Sequence, residues 1–260
     1  MSAAREGRVV VALGRRALSV QFRRAQLLMP TFVLPLMLLA VIASGTSAAQ
    51  DLRGFPDVSS YLAFLVPGTI IQGALLAGLT SGTALASDIE FGFFDRLLAA
   101  PVRRTSLVIG RQAGTLGLSV LQTTFFLAVA YVFGARYPGG VDAALAAIVL
   151  AAITAVGIGG VAAAIALRTG SLSLLQSIFP FVFVLLFTAP AFFPRELLTP
   201  VLRDAARFNP LTYVVEAVRG LLTADGSLGD PWAGLAAAVA LALATTALAT
   251  FALGRRLRAA

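Results

Sequence analysis

Six stretches of the chain read as nearly unbroken apolar runs: Leu27–Ser44, Tyr61–Ala86, Leu107–Phe133, Ala143–Leu167, Leu172–Phe193 and Trp232–Leu253. A helix needs about 20 residues to cross a hydrocarbon core roughly 30 Å thick. The pattern therefore predicts an all-α integral membrane fold, with six transmembrane helices in one domain covering residues 1–260. The first run is the shortest and holds Pro30 and Pro35. The fourth and fifth are separated only by Arg168–Ser171, a tight turn around Gly170.

The segments outside these runs have helical patterns of their own. In residues 5–26, Arg5, Arg8, Arg15, Arg16 and Arg23 fall within an arc of about 100° when plotted at a helical period. Val10, Leu13, Ala17 and Val20 lie opposite. This predicts a basic amphipathic helix at the membrane interface, its arginines toward anionic headgroups or a partner protein, two uses that are compatible. In residues 87–106, Ser87 and Glu90 stand in capping-box spacing, which predicts a helix start. Ile89, Phe93 and Leu97 would form its apolar face, and Pro101 its end. Asp88, Glu90, Asp95 and Arg96 concentrate charge on it. It reads either as a docking helix for a partner or as an interfacial elbow whose phenylalanines dip into lipid. A metal or catalytic cluster is excluded, because arginines neighbour the three carboxylates and no histidine accompanies them.

Residues 194–231 are too polar to span and too patterned to be a linker. Arg195–Arg207 has amphipathic spacing, and Asn209 followed by Pro210 reads as an N-cap and first helical residue. Glu216 and Arg219 then stand at i, i+3, able to pair. The expectation is a set of short re-entrant or surface helices capping the outer end around Asn209, Pro210, Glu216 and Arg219. The alternative is a structured loop without a part in transport.

Composition narrows the chemistry. The 260 residues are 58% hydrophobic and 12% charged, about half the charged fraction of a soluble domain. Histidine and cysteine are absent, which removes imidazole acid/base chemistry, thiol nucleophiles and disulfides. All 20 basic residues are arginine, so a P-loop lysine is impossible. The net charge of +8 sorts by side. With an even number of spans, fourteen arginines and four acids fall on the face holding both termini, and six arginines and eight acids on the other. That bias places both termini in the cytoplasm. It also turns an apparent nucleic-acid signal into an address for headgroups and a cytoplasmic partner.

Inside the runs there is no Asp, Glu or Lys, and Arg111 sits at the end of one. Ion-coupled carriers usually keep ionisable groups at mid-membrane depth, so the pattern favours force applied from outside the membrane. Gly78 with Gly82, Gly110 with Gly114, and Gly157, Gly159 and Gly160 permit close helix contacts within a subunit or across a dimer. Gln72, Gln122 and Gln176 either bond between helices or line a substrate path. Phe179, Phe183 and Phe187 belong to a crowd of rings in the fifth run, which could form an aromatic wall or simply face lipid.

The run from Glu90 through Phe91, Phe93, Phe94, Asp95, Arg96 and Pro101 to Arg104, followed by Leu107–Arg111, resembles the cytoplasmic segment of drug-exporter-type ABC transporter permeases, the daunorubicin-resistance-like membrane subunits. Phe208-Asn209-Pro210 through Arg219-Gly220 is similar to their motif before the last span. The resemblance covers essentially the whole chain. It implies a permease that binds no cofactor itself and pairs with a separate ATPase carrying ATP and magnesium, usually two copies of each, in a bacterial plasma membrane. It makes the 87–106 segment the coupling helix, with Asp88, Glu90, Phe91, Phe94, Asp95 and Arg96 as its contacts. The basic helix bearing Arg8, Arg15, Arg16 and Arg23 becomes the connecting helix, and the short helices around Asn209, Pro210, Glu216 and Arg219 the outer gate. An ion-coupled or facilitated carrier, and a non-transporting scaffold, are the competing readings.

Overall fold

The computed structural model describes residues 3–23, 25–45, 55–56, 58, 60–98 and 104–259. The described residues form ten α-helices and no strand: α1 (Ala3–Arg23), α2 (Ala25–Gly45), α3 (Tyr61–Glu90), α4 (Phe93–Leu98), α5 (Arg104–Val132), α6 (Gly140–Thr169), α7 (Leu172–Phe187), α8 (Pro200–Phe208), α9 (Pro210–Thr223) and α10 (Pro231–Ala259). Single 3-10 turns at Arg195–Leu197 and Gly226–Leu228 lead into α8 and α10.

Among the described residues five helices, α2, α3, α5, α6 and α10, are long and apolar enough to cross a membrane. The expected fifth run behaves differently. Helix α7 stops at Phe187 after 16 residues, which is about 24 Å at 1.5 Å per residue. Pro190 accounts for the stop: it has no N–H to give, and its ring would collide with the carbonyl four residues back. The chain then turns inward without helix and buries Ala189, Pro190, Ala191 and Phe192. Irregular backbone at membrane depth is tolerated only where protein surrounds it, and here it is surrounded.

Helix α3 is the axis of the bundle, buried almost continuously from Tyr61 to Leu79. It lies against α6 through small residues. A methyl group added at Gly78 would come within 2.7 Å of the Gly159 nitrogen, and one at Gly82 would overlap Ala162. Gly157 and Gly160 make the same close approach to Leu241 and Thr245 of α10. Gly110 and Gly114 face α1, where Gly14 meets Ala113 and Ala17 meets Gly114. The small-residue pairs are thus used within the subunit, where close backbone approach substitutes for a hydrophobic driving force that lipid does not supply.

Two sequence expectations change here. Ser87 and Glu90 do not open a helix, because α3 continues through both and ends at Phe91, whose N–H reaches the Ser87 carbonyl. Gly92, at φ +69°, then turns the chain into α4, a left-handed conformation that glycine adopts without steric penalty. The long apolar face of α3 outweighs one local cap signal. The basic helix α1, in turn, rests on α5 rather than on lipid alone.

Candidate functional site

A six-residue helix such as α4 cannot persist by itself in water, so what holds it defines the junction at this end of the bundle. Phe94 is 2% exposed and fills the space between α3 and α5. On one side of it lies a cavity of about 40 Å³ bounded by Leu13, Arg16, Ser81, Asp88 and Arg111. On the other lies a cavity of about 20 Å³ that reaches Gln112. Phe93 is covered by the Arg16 guanidinium, 3.9 Å above its ring. Arg16 also lies 3.6 Å from Asp88 Oδ2. Arg111 donates from Nη2 to the same oxygen. One carboxylate at the end of α3 therefore binds α1 and α5 together, and through Arg16 it touches α4.

Glu90 is engaged elsewhere. Its Oε2 accepts a hydrogen bond from the Leu172 N–H, 3.1 Å away, at the first residue of α7. Of the six residues expected to form a contact face, Phe91 (78% exposed) and Arg96 face outward. Asp88, Glu90 and Phe94 are turned to the chain's own helices. The side chain of Asp95 lies outside the described residues. On α1, Arg8 and Arg15 are exposed, Arg16 is turned inward to Asp88, and the Arg23 side chain also lies outside the described residues.

The opposite end is closed by α8 and α9. The Asn209 side-chain Oδ1 accepts from the Leu211 N–H at 2.9 Å, and Pro210 follows at the first helical position, as the sequence pattern predicts. The Asn209 amide donates to the Leu185 carbonyl at 2.7 Å and to Thr188 Oγ1 at 2.9 Å, which fastens the start of α9 to the end of α7. The pairing allowed for Glu216 and Arg219 is replaced by two separate contacts. Glu216 meets Arg195 at 3.4 Å. Burial raises the Glu216 carboxyl above its usual range, against the opposing pull of Arg195 and Arg219. Arg219, only 3% exposed, donates to the carbonyls of Phe64 (3.3 Å), Pro190 (2.8 Å) and Ala191 (3.0 Å). Its guanidinium stacks 4.0 Å above the Phe64 ring. This planar fork satisfies the carbonyls exposed by the break after α7, a task a lysine could not perform.

Between the two ends runs a buried polar seam. Gln112, Thr115, Ser119 and Gln122 recur at spacings of 3, 4 and 3 on one face of α5, with Thr69 and Gln72 on α3. The Gln122 amide donates to Thr31 Oγ1 of α2 at 2.8 Å. Both amide atoms of Gln72, the Gln112, Thr115 and Thr69 oxygens, Ser119 Oγ and Gln122 Oε1 meet no hydrogen-bonding partner among the described residues. Gln176 is separate from this seam and exposed on α7. Phe179, Phe183 and Phe187 stack along α7 with ring centroids 5.4 and 6.5 Å apart, and Phe192 adds a fourth ring at 5.9 Å.

Sequence reasoning missed Arg111, Phe93, Phe64, Thr31 and Arg195 as partners. The heptad-like spacing of Gln112, Thr115, Ser119 and Gln122 was readable and would have exposed the seam. The contacts of Arg111 and Arg195 join segments distant in sequence and left no local signal.

Spans held by small residues, a charged junction at one end and a helical cap at the other define a multi-pass membrane protein. Residues 8–223 match the model of the ABC-2 type transporter family. The putative transport permease ycf38 of Porphyra purpurea is 30% identical over 212 residues, 81% of this chain and 72% of the relative. Its counterpart in Pyropia yezoensis is 30% identical over 82% and 73% of the two chains. The daunorubicin resistance ABC transporter permease protein DrrB1 of Streptomyces coeruleorubidus is 26% identical over 67% and 62%. The chain belongs to the ABC-2 type transporter family, and is a membrane-spanning transport permease.

Proposed function

We propose that this permease is the membrane subunit of an ATP-driven exporter, energised by a separate cytoplasmic ATPase. The junction end, with both termini, faces the cytoplasm, in keeping with the excess of arginine on that side. The observation that carries the reading is the junction at Asp88. The short helix α4 and the turn before it present Arg96 and Phe91 outward, while Phe94 packs between α3 and α5, Arg16 of α1 covers Phe93, and Asp88 at the end of α3 joins Arg16 to Arg111. A push on α4 would thus be divided among several spans instead of being absorbed by a loop. Because the chain holds no Walker lysine, ATP and magnesium belong to the partner. Two permeases and two ATPases are the expected assembly.

The cargo is hydrophobic or amphipathic and drug-like or lipid-like. The uncharged spans, the Phe179–Phe183–Phe187 ladder and the daunorubicin resistance named for one relative support this. Gln72 and Gln122 are its candidate polar contacts, and the Asn209–Arg219 cap its outer gate. The direct test is co-purification: Phe91→Ala with Arg96→Glu should abolish recovery of the ABC ATPase that co-purifies with the parent permease while leaving the permease folded. Undiminished recovery would refute docking at α4.

A further inference from the structure

Glu90 ends α3, three positions before α4 begins, yet its carboxylate sits at the start of α7. The cytoplasmic turn between α6 and α7 is held at three points. The Glu90 Oε2 accepts from the Leu172 N–H at 3.1 Å. Ile89 lies against Gly170, where a side chain would come within 3.3 Å of its Cγ2. Arg256 near the end of α10 donates to the Leu167 carbonyl at 3.4 Å. Ser171 caps α7 on its own, accepting from the Leu174 N–H. The Leu172 N–H is one of the orphan donors of a helix start, and a carboxylate there is also favoured by the helix dipole.

Helix α7 is sparsely embedded. Its buried side chains are Leu175 and Leu186, and Pro180 interrupts its middle. By contrast α3 is buried along its length. A tether at the α7 start therefore acts on an element whose far end is fastened to Asn209, whose middle has few buried side chains, and which carries the phenylalanine ladder.

We propose that Glu90 is a positioning residue that transmits movement of α4 to α7, so that the junction has two outputs: Asp88 to α1 and α5, and Glu90 to α7. This rests on the reading that an ATPase drives α4. In this role Glu90 acts through its bond to the Leu172 N–H rather than by contact with the ATPase or the cargo.

The absence of cysteine makes the test straightforward with spin labels in the complete permease–ATPase complex. One label pair, Phe181→Cys with Leu243→Cys, reports α7 against α10; a second, Val120→Cys with Leu243→Cys, reports α5 against α10. Both pairs are measured in the nucleotide-free complex and in one trapped by Mg–ATP and vanadate. In the parent both distances should shift. Glu90→Ala should remove more than half of the α7 shift, leave the α5 shift, and leave ATPase recovery unchanged. Glu90→Gln, whose amide oxygen still accepts from Leu172, should keep most of the α7 shift.

A second variant reaches the same bond from its donor. Leu172→Pro deletes the N–H at a first helical position that proline suits, and Ser171 already holds the extended backbone a following proline requires, at φ −105° and ψ 119°. It should reproduce Glu90→Ala. The proposal is overturned if the α7 shift survives both variants, if Glu90→Ala releases the ATPase, or if α7 is still in the parent while α5 moves. Absence of any trapped shift in the parent would instead overturn the ATP-driven reading beneath it.

Discussion

Individual side chains here are informative through what they satisfy. Asp88 answers two arginines from two other helices, so Asp88→Asn leaves Arg16 and Arg111 facing each other without their shared charge. Losing a charge-assisted contact of this half-buried kind costs about 1–2 kcal/mol. In detergent, thermal unfolding of the variant should begin about 4 °C lower, a shift of the usual size for such a loss. An unchanged melting profile would mean the junction is not held by this carboxylate. Arg219 carries more. Arg219→Lys keeps the charge but cannot reach the three carbonyls of Phe64, Pro190 and Ala191 or stack on the Phe64 ring. The expected loss is about 2–3 kcal/mol, with proteolysis appearing first between residues 188 and 199. Equal resistance to protease would show that the segment after α7 is held by other contacts. The sequence pattern allowed the Glu216–Arg219 pair because helical neighbours can always meet. It could not reveal that a backbone break elsewhere needed the arginine more.

At the scale of elements, periodicity identified the five long spans, the basic helix and the Asn209–Pro210 start, because each is written in consecutive residues. Two boundaries and one side chain went differently for tertiary reasons. Helix α3 overran the Ser87 cap because its apolar run continues to Ile89. Helix α7 ended early at Pro190. Arg16 turned inward because Asp88 offers a partner that headgroup water does not. The seam on α5 is the least comfortable element. Unpaired polar groups inside a bilayer cost several kcal/mol each, set against a typical total stability of about 5–15 kcal/mol. Thr115→Val with Ser119→Ala removes two of these groups with little change of shape. Stability should hold or rise by about 1 kcal/mol, measured by unfolding in detergent. A fall of that size would mean that both hydroxyls have partners.

The whole molecule is organised about one asymmetric idea: charge at the ends, small residues and neutral polarity between them. The ends differ in kind. One gathers arginine around Asp88 and leaves Phe91 and Arg96 exposed; the other closes over a broken helix with Asn209, Glu216 and Arg219. The proposed function asks such a body to pass movement from one end to the other; the chain holds no lysine, histidine or cysteine. The direct measurement of that account is uptake of a hydrophobic or amphipathic fluorescent probe into inverted membrane vesicles carrying the permease and an ABC ATPase that co-purifies with it. Uptake should require ATP, stop with vanadate, and be lost in the Phe91→Ala, Arg96→Glu permease. Uptake that persists without the ATPase and follows the proton gradient would contradict the account.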